Sequence, residues 1–228
     1  MKHAGKARKA AFKLILISLL LVAVILAVGL FAAFFGSMMV AITPMLIALW
    51  FLFALFTLFF FRDPDASVPA GTDMILSPAH GRIDVIERIR EPLFMAGECQ
   101  RISMFLSVMD VHVQNAPVSG RIAFFKYTTG QFLNALKTES AIYNENVLLG
   151  FEPRERPACK IAVRVIAGVL ARRIVPYVEL GDEVERGERI GLVQFGSRAD
   201  VYLPLACKLA VQLGDHVAGG ETVLARFE

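Results

Sequence analysis

Gln194-Phe195-Gly196-Ser197-Arg198-Ala199-Asp200-Val201-Tyr202-Leu203-Pro204 joins an apolar run, Ile190 to Phe195, to an alternating run, Ala199 to Leu203, through a Gly-Ser pair. One reading is a hairpin turn, since glycine and serine commonly punctuate strands. The other is a bond set for an N→O acyl shift. Glycine leaves its carbonyl sterically open, and the serine hydroxyl one residue on can attack it.

An internal repeat flanks this stretch. Leu180-Gly181-Asp182-x-Val184-x-x-Gly187-x-x-Ile190 recurs as Leu213-Gly214-Asp215-x-Val217-x-x-Gly220-x-x-Val223. Each copy reads as a tight Gly-Asp turn, a strand residue, a second glycine turn and a returning strand. Two such hairpins are expected to sandwich one another and to place the segment between them, with Ser197, on a common edge. The pattern resembles the barrel-sandwich hybrid of biotinyl and lipoyl carriers, so a carrier-like binding module is one alternative. A carrier presents its modified lysine in an exposed turn between the halves. Here that interval holds Gly196-Ser197, and its only lysine is Lys208.

The 228 residues allow one ordinary domain and a membrane segment. A hydrophobic share of 56% is too high for a purely soluble domain, and the excess lies in residues 12–61. Phe12 to Phe35 holds one charge, Lys13, and Met38 to Phe61 holds none. Each is long enough to cross a hydrocarbon core, which takes about 20 apolar residues. With Gly36-Ser37 between them they predict a two-helix transmembrane hairpin. Lys2, Lys6, Arg8, Lys9 and Lys13 crowd the first end without an acid, and Arg62 follows the second. Positive charge on both outer ends places both termini in the cytoplasm, at the inner membrane. A cleaved signal peptide followed by one anchor is the competing reading. The net charge is only +3, and a basic tail beside an apolar span suits an anionic membrane face rather than nucleic acid. Cys99, Cys159 and Cys207 are odd in number and widely spaced, which suits a reducing compartment.

Beyond the membrane, Arg62-Asp63-Pro64-Asp65 and Pro69-Ala70-Gly71 form a breaker-rich exit. Ile83 to Ile89, Arg101 to Val108, Ile161 to Val169 and Arg173 to Val178 then read as strands. Only Gln131 to Lys137 reads as a helix, with Phe132, Leu133 and Leu136 on one side. The expected fold is therefore mainly β (α+β), ending in the hairpin repeat and preceded by the transmembrane hairpin. Of the four histidines, His3 lies in the basic tail and His216 in a repeat turn. His112 lies in Asp110-Val111-His112-Val113, where strand geometry would put Asp110 and His112 on one face. It is either a half-buried histidine beside a carboxylate or a general base for a hydroxyl nucleophile. His80-Gly81-Arg82-Ile83-Asp84, with a later histidine, also permits a zinc site of the lysostaphin type. Such a site needs a His-x-His pair, and this chain offers Asp110-Val111-His112.

Several of these segments together resemble the short, membrane-anchored phosphatidylserine decarboxylases. They are Phe60-Phe61-Arg62-Asp63-Pro64, Asp110-Val111-His112-Val113 with Ala116-Pro117, Ile166-Ala167-Gly168-x-x-Ala171-Arg172-Arg173, and Phe195-Gly196-Ser197-Arg198. The resemblance implies that the proenzyme cuts itself between Gly196 and Ser197, with His112 as the base. The products would be a large subunit, 1–196, and a small one, 197–228, within a decarboxylase domain of residues 62–228 behind a tail of residues 1–11. Ser197 would become a pyruvoyl cofactor that decarboxylates phosphatidylserine to phosphatidylethanolamine, with no metal. The implied partners are that lipid and the enzyme's own two subunits, with a homo-oligomer as an open option. Arg62, Arg172 and Arg173 are the candidates for the lipid phosphate.

Two departures from the family pattern matter. The family turn Ser-Pro-x-Asp-Gly reads Ser77-Pro78-Ala79-His80-Gly81 here, with histidine where an aspartate normally orients the base. Asp84 and Asp110 are the substitutes at hand. Tyr143-Asn144-Glu145-Asn146 stands where members usually read Asn-Glu-Arg-Asn. An uncleaved, inactive proenzyme is the alternative these departures leave; an archaetidylserine decarboxylase, acting on a lipid with the archaeal glycerol backbone, is a separate one.

Overall fold

The computed structural model describes residues 6–131, 144–168, 173–193 and 196–228, with side chains from residue 16 onward. The chain divides into two compact units after Thr57. The first is the greater part of a single helix, α1 (Lys6–Phe60), whose stretch Leu16–Phe60 is long and apolar enough to cross a membrane. The expected break at Gly36-Ser37 is absent, so one continuous helix replaces the two-helix hairpin. Glycine and serine each cost a helix interior no more than about 1 kcal/mol, too little to end it without a partner to pack against. Ser37 and Thr43 also bond back to the Phe34 and Met39 carbonyls, at 2.8 and 2.7 Å.

The second unit is built of strands. In chain order they are β1 (Met74–Leu76), β2 (Gly81–Glu91), β3 (Gly97–Leu106), β4 (Val113–Asn115), β5 (Gly120–Thr128), β6 (Asn146–Pro153) and β7 (Ile161–Ala167). There follow β8 (Ile174–Pro176), β9 (Glu183–Val184), β10 (Arg189–Val193), β11 (Ser197–Leu203), β12 (Lys208–Leu209), β13 (His216–Val217) and β14 (Val223–Arg226). The four expected strands fall on β2, β3, β7 and β8. The expected helix lies outside the described residues from position 132 on.

An eight-stranded sheet runs β13-β2-β3-β11-β7-β6-β5-β9, and two three-stranded sheets run β1-β14-β12 and β4-β10-β8. The two repeats dock alike at opposite edges of the large sheet. Gly181 N–H bonds Ile122 O while Ile122 N–H bonds Asp182 O; Gly214 and Asp215 treat Ile83 in the same way. The carboxylates of Asp182 and Asp215 cap the Glu179 and Gln212 amides, at 2.7 and 2.9 Å. The receiving segments match as well: Pro78-x-x-Gly81-Arg82-Ile83 and Pro117-x-x-Gly120-Arg121-Ile122. The segment between the repeats is therefore not on an edge. β11 lies in the middle of the sheet, paired with β3 and β7 along its length. Central pairing satisfies every backbone group of a strand that is buried throughout.

Alternation divides β11 between two environments. Ala199, Val201 and Leu203 enter the main core. Tyr202, on the other face, joins a smaller cluster with Phe94, Cys99, Leu148 and Ala162. Arg198 is buried there and bonded to Asp84, and Asp200 lies 3.7 Å from Arg101 and 3.8 Å from Arg198. Burial nonetheless pushes the Asp200 carboxyl up from the usual carboxylate range.

Candidate active site

Ser197 opens β11, opposite Leu106 of β3 and Ala167 of β7. It is fully buried, and among the described residues its hydroxyl has no hydrogen-bond partner. A buried hydroxyl without a partner costs about 1–3 kcal/mol, so packing alone does not explain this serine. Gly196 precedes it at φ +57°, in the left-handed region that glycine enters without a Cβ penalty. A Cβ there would meet nothing within 4 Å apart from its chain neighbours, so there is open space beside the Gly196 Cα. That carbonyl accepts a 3.0 Å bond from the Gly168 N–H, just beyond the end of β7. The donor is held in turn: Ala167 N–H bonds Glu145 O, and Asn144 Nδ2 donates to Ala167 O at 2.7 Å.

His112 reaches Gly196 from the other side. The turn after β3 is closed by Asp110 N–H to Ser107 O and by Ser107 N–H to the Asp110 carboxylate. His112 Nδ1 lies 2.9 Å from the Asp110 carbonyl, which only accepts, so Nδ1 carries the proton. Nε2 therefore presents its lone pair, and the Gly196 N–H donates to it at 3.3 Å. The side chain is 1% exposed. Burial pushes its pKa below the ordinary histidine range, although the Asp110 carbonyl and carboxylate pull the other way. The imidazole is thus a neutral acceptor at pH 7.

The other residues singled out in the sequence are distributed unevenly. Asp110 adjoins His112 through its carbonyl, while its carboxylate pairs with Nε2 of the exposed His216 at 3.0 Å. Asp84 is engaged by Arg198 and is not at the imidazole. His80 is half-buried within electrostatic range of Asp110, Glu221, Arg62, His216 and His112; burial lowers its pKa, so it too is neutral at pH 7. No carboxylate therefore supports the His112 ring directly among the described residues. Arg62 donates to the Phe59 and Met109 carbonyls. Arg173 is exposed and acts electrostatically on Tyr127, whose hydroxyl bonds Glu145 and is pushed up to about 12, chiefly by burial. Arg172 lies outside the described residues. Among the described residues no three histidine, cysteine, aspartate or glutamate side chains converge as a metal site.

Sequence reasoning did not single out the Gly168 amide, the Asn144 side chain or Phe60, whose ring lies 4.2 Å from that of His112. All three lie in or beside the motifs quoted above, but a backbone donor or a stacking ring has no one-letter signature.

A family model described as phosphatidylserine decarboxylase matches residues 53–225. A protein from Desulfotalea psychrophila is 42% identical over 198 residues, covering 86% of this chain and 92% of its own length. One from Symbiobacterium thermophilum is 39% identical, covering 76% and 80%. One from Rickettsia bellii is 43% identical, covering 75% and 74%. All three are named phosphatidylserine decarboxylase proenzyme.

Proposed function

The chain belongs to the phosphatidylserine decarboxylase family, and from that premise we propose how its own residues mature it and carry the reaction. It is a proenzyme of a decarboxylase that converts phosphatidylserine to phosphatidylethanolamine and carbon dioxide. The observation that carries the maturation step is a buried Ser197 hydroxyl, without a hydrogen-bond partner among the described residues, next in sequence to a Gly196 carbonyl that already accepts the Gly168 N–H.

Ser197 Oγ attacks the Gly196 carbonyl carbon, and His112 Nε2 takes the hydroxyl proton. The Gly168 N–H meets the negative charge that gathers on the Gly196 oxygen, as an oxyanion donor does. Collapse breaks the Gly196–Ser197 peptide bond, leaves an ester on Oγ and returns the proton to the freed Ser197 amine. Loss of the Ser197 α-proton then expels the Gly196 carboxylate and cuts the chain. Water replaces the nitrogen of the remaining enamine, ammonia leaves, and residue 197 is a pyruvoyl group. The residues present fit this origin, because the hydroxyl lies buried at the head of a central strand, directly after a glycine with open space beside its Cα. When formed, the pyruvoyl group supplies an electrophilic carbonyl for the substrate amine and a sink for the electron pair released with carbon dioxide. The cut pieces stay together because β11 pairs with β3 and β7, and β14 with β1. The repeats on either side of the cut, docked alike, are consistent with the two halves of a barrel-sandwich hybrid.

The test is the intact mass of the full chain in detergent. Maturation predicts a fragment of residues 197–228 lighter by one ammonia than simple hydrolysis would give, and a single uncut chain would sink the proposal. His80 bears on how fast this happens. An aspartate there would favour the His112 imidazolium that forms during attack. His80→Asp is therefore expected to speed cleavage about tenfold, on the scale of one pKa unit of stabilisation. A time course on a denaturing gel reads this, and no acceleration would mean that the missing carboxylate is not limiting.

At roughly 1.5 Å per residue, the 45 apolar residues of Leu16–Phe60 are more than twice as long as a hydrocarbon core is thick. That length accommodates two spans in the bilayer provided that α1, continuous through Gly36-Ser37 in the structure, opens there; both termini and the decarboxylase unit would then be cytoplasmic. A cysteine placed at Ser37 should then react only with reagent added outside the cytoplasm; labelling from within would refute the hairpin. The lipid phosphate is assigned to arginine. Arg173 is exposed, and Arg62 would have to exchange its present carbonyl partners; Arg172 completes the set.

A further inference from the structure

Neither Phe60 nor Arg62 has a part in the self-cleavage steps above, yet both contact His112 or the loop that carries it. Phe60 is the last residue of α1 and belongs to the same compact unit as the strands. It is fully buried, and its ring is tilted 35° to the imidazole. Arg62 donates to Met109 O, inside the turn whose Asp110 carbonyl holds His112 Nδ1. Its guanidinium also lies 4.0 Å from the centre of the Phe59 ring. Asp63 and Asp65 extend the grip. They pair with Arg189 at 2.7 and 2.9 Å, at the start of β10, and that strand ends at Val193, whose N–H bonds His112 O at 3.1 Å. One short segment thus reaches both flanks of the histidine.

We propose that Phe60-Phe61-Arg62, at the exit from the apolar helix, is a positioning element for His112, with the Phe60 ring fixing the plane of the imidazole and excluding water from it. The proposal rests on the reading of His112 as the processing base. An apolar face over the ring raises the cost of the imidazolium. The charged and titratable groups acting on His112 are Asp110, which favours the cation, and Arg62 and His80, which oppose it. A phenylalanine serving only to fill the core would be replaced by leucine with little change at the histidine.

The experiment uses the full chain with Ser197→Ala, so that the titration does not depend on cleavage. Carbon-labelled histidine is followed by NMR in detergent, and the His112 resonance is identified by its loss in His112→Gln. Phe60→Leu is expected to move the His112 midpoint upward while exposed His216 stays in place. In the chain with Ser197 intact, the same change is expected to slow cleavage roughly tenfold, the scale of a small misplacement of a catalytic group. Arg62→Gln, at a half-buried surface position, should move the midpoint the same way and supplies the test if Phe60→Leu fails to fold. An unchanged His112 midpoint in the folded variants overturns the proposal, whatever happens to cleavage. A wild-type chain that never cuts would refute the processing reading and still leave the titration to answer this one.

Discussion

Ser197→Ala is expected to remain one chain of 228 residues under conditions in which the wild-type protein separates into pieces 1–196 and 197–228. The substitution removes the only atom assigned to attack the Gly196 carbonyl, so the loss should be complete rather than graded. It should not harm the fold. Ser197 Oγ is buried and has no partner among the described residues, and the backbone pairing of β11 with β3 and β7 does not involve the side chain. Deleting an unsatisfied buried hydroxyl removes a cost of about 1–3 kcal/mol and leaves a space only one oxygen in size. The variant should therefore melt no lower than the uncut wild-type chain. Intact mass and a thermal melt read both halves of the expectation. Cleavage of Ser197→Ala at the same bond would transfer the nucleophile elsewhere, and a sharply lowered melting temperature would mean that the hydroxyl has a structural partner.

His112→Gln is expected to slow cleavage by a factor on the order of 10² to 10⁴, the range over which a positioned general base acts. Glutamine can still take the Gly196 N–H bond but cannot hold the serine proton. The pH dependence separates this loss from a packing effect. The base works as neutral imidazole, and the buried ring has its pKa lowered from the ordinary value, chiefly by burial. Wild-type cleavage should accordingly be level through neutral pH and fall only on the acid side, below the ordinary histidine midpoint of about 6.5. In His112→Gln that acid limb should vanish along with most of the rate. A variant that cuts at the wild-type rate, or one that keeps the limb, would mean that another group titrates. His80 would be the first to examine, since it is half-buried and, like His112, neutral at pH 7.

The sequence by itself determined what depends on local pattern. Apolar length announced a helix long and apolar enough to cross a membrane, for which about 20 uncharged residues suffice. The repeat at Leu180 and Leu213 predicted two equivalent turns, because Gly-Asp needs a positive φ at glycine and a carboxylate returning to the backbone. Gly181 and Gly214 adopt φ +99° and +93° in those turns, and both aspartates cap backbone amides. Gly196-Ser197 and His112 stood out because an open carbonyl, a neighbouring hydroxyl and a base are legible as residue types.

The tertiary structure decided what depends on distance between remote segments. It set β11 in the middle of a sheet rather than on an edge, since which strands flank it depends on pairings with β3 and β7, at least thirty residues away. It assigned Asp84 to Arg198 and the Asp110 carboxylate to His216, although residue spacing offered both to His112. It supplied the Gly168 N–H to the Gly196 carbonyl and the Phe60 ring to the imidazole. An amide is present at every residue but proline, and a phenylalanine in an apolar run looks like its neighbours. Only the fold selects the one amide and the one ring that meet the reacting groups.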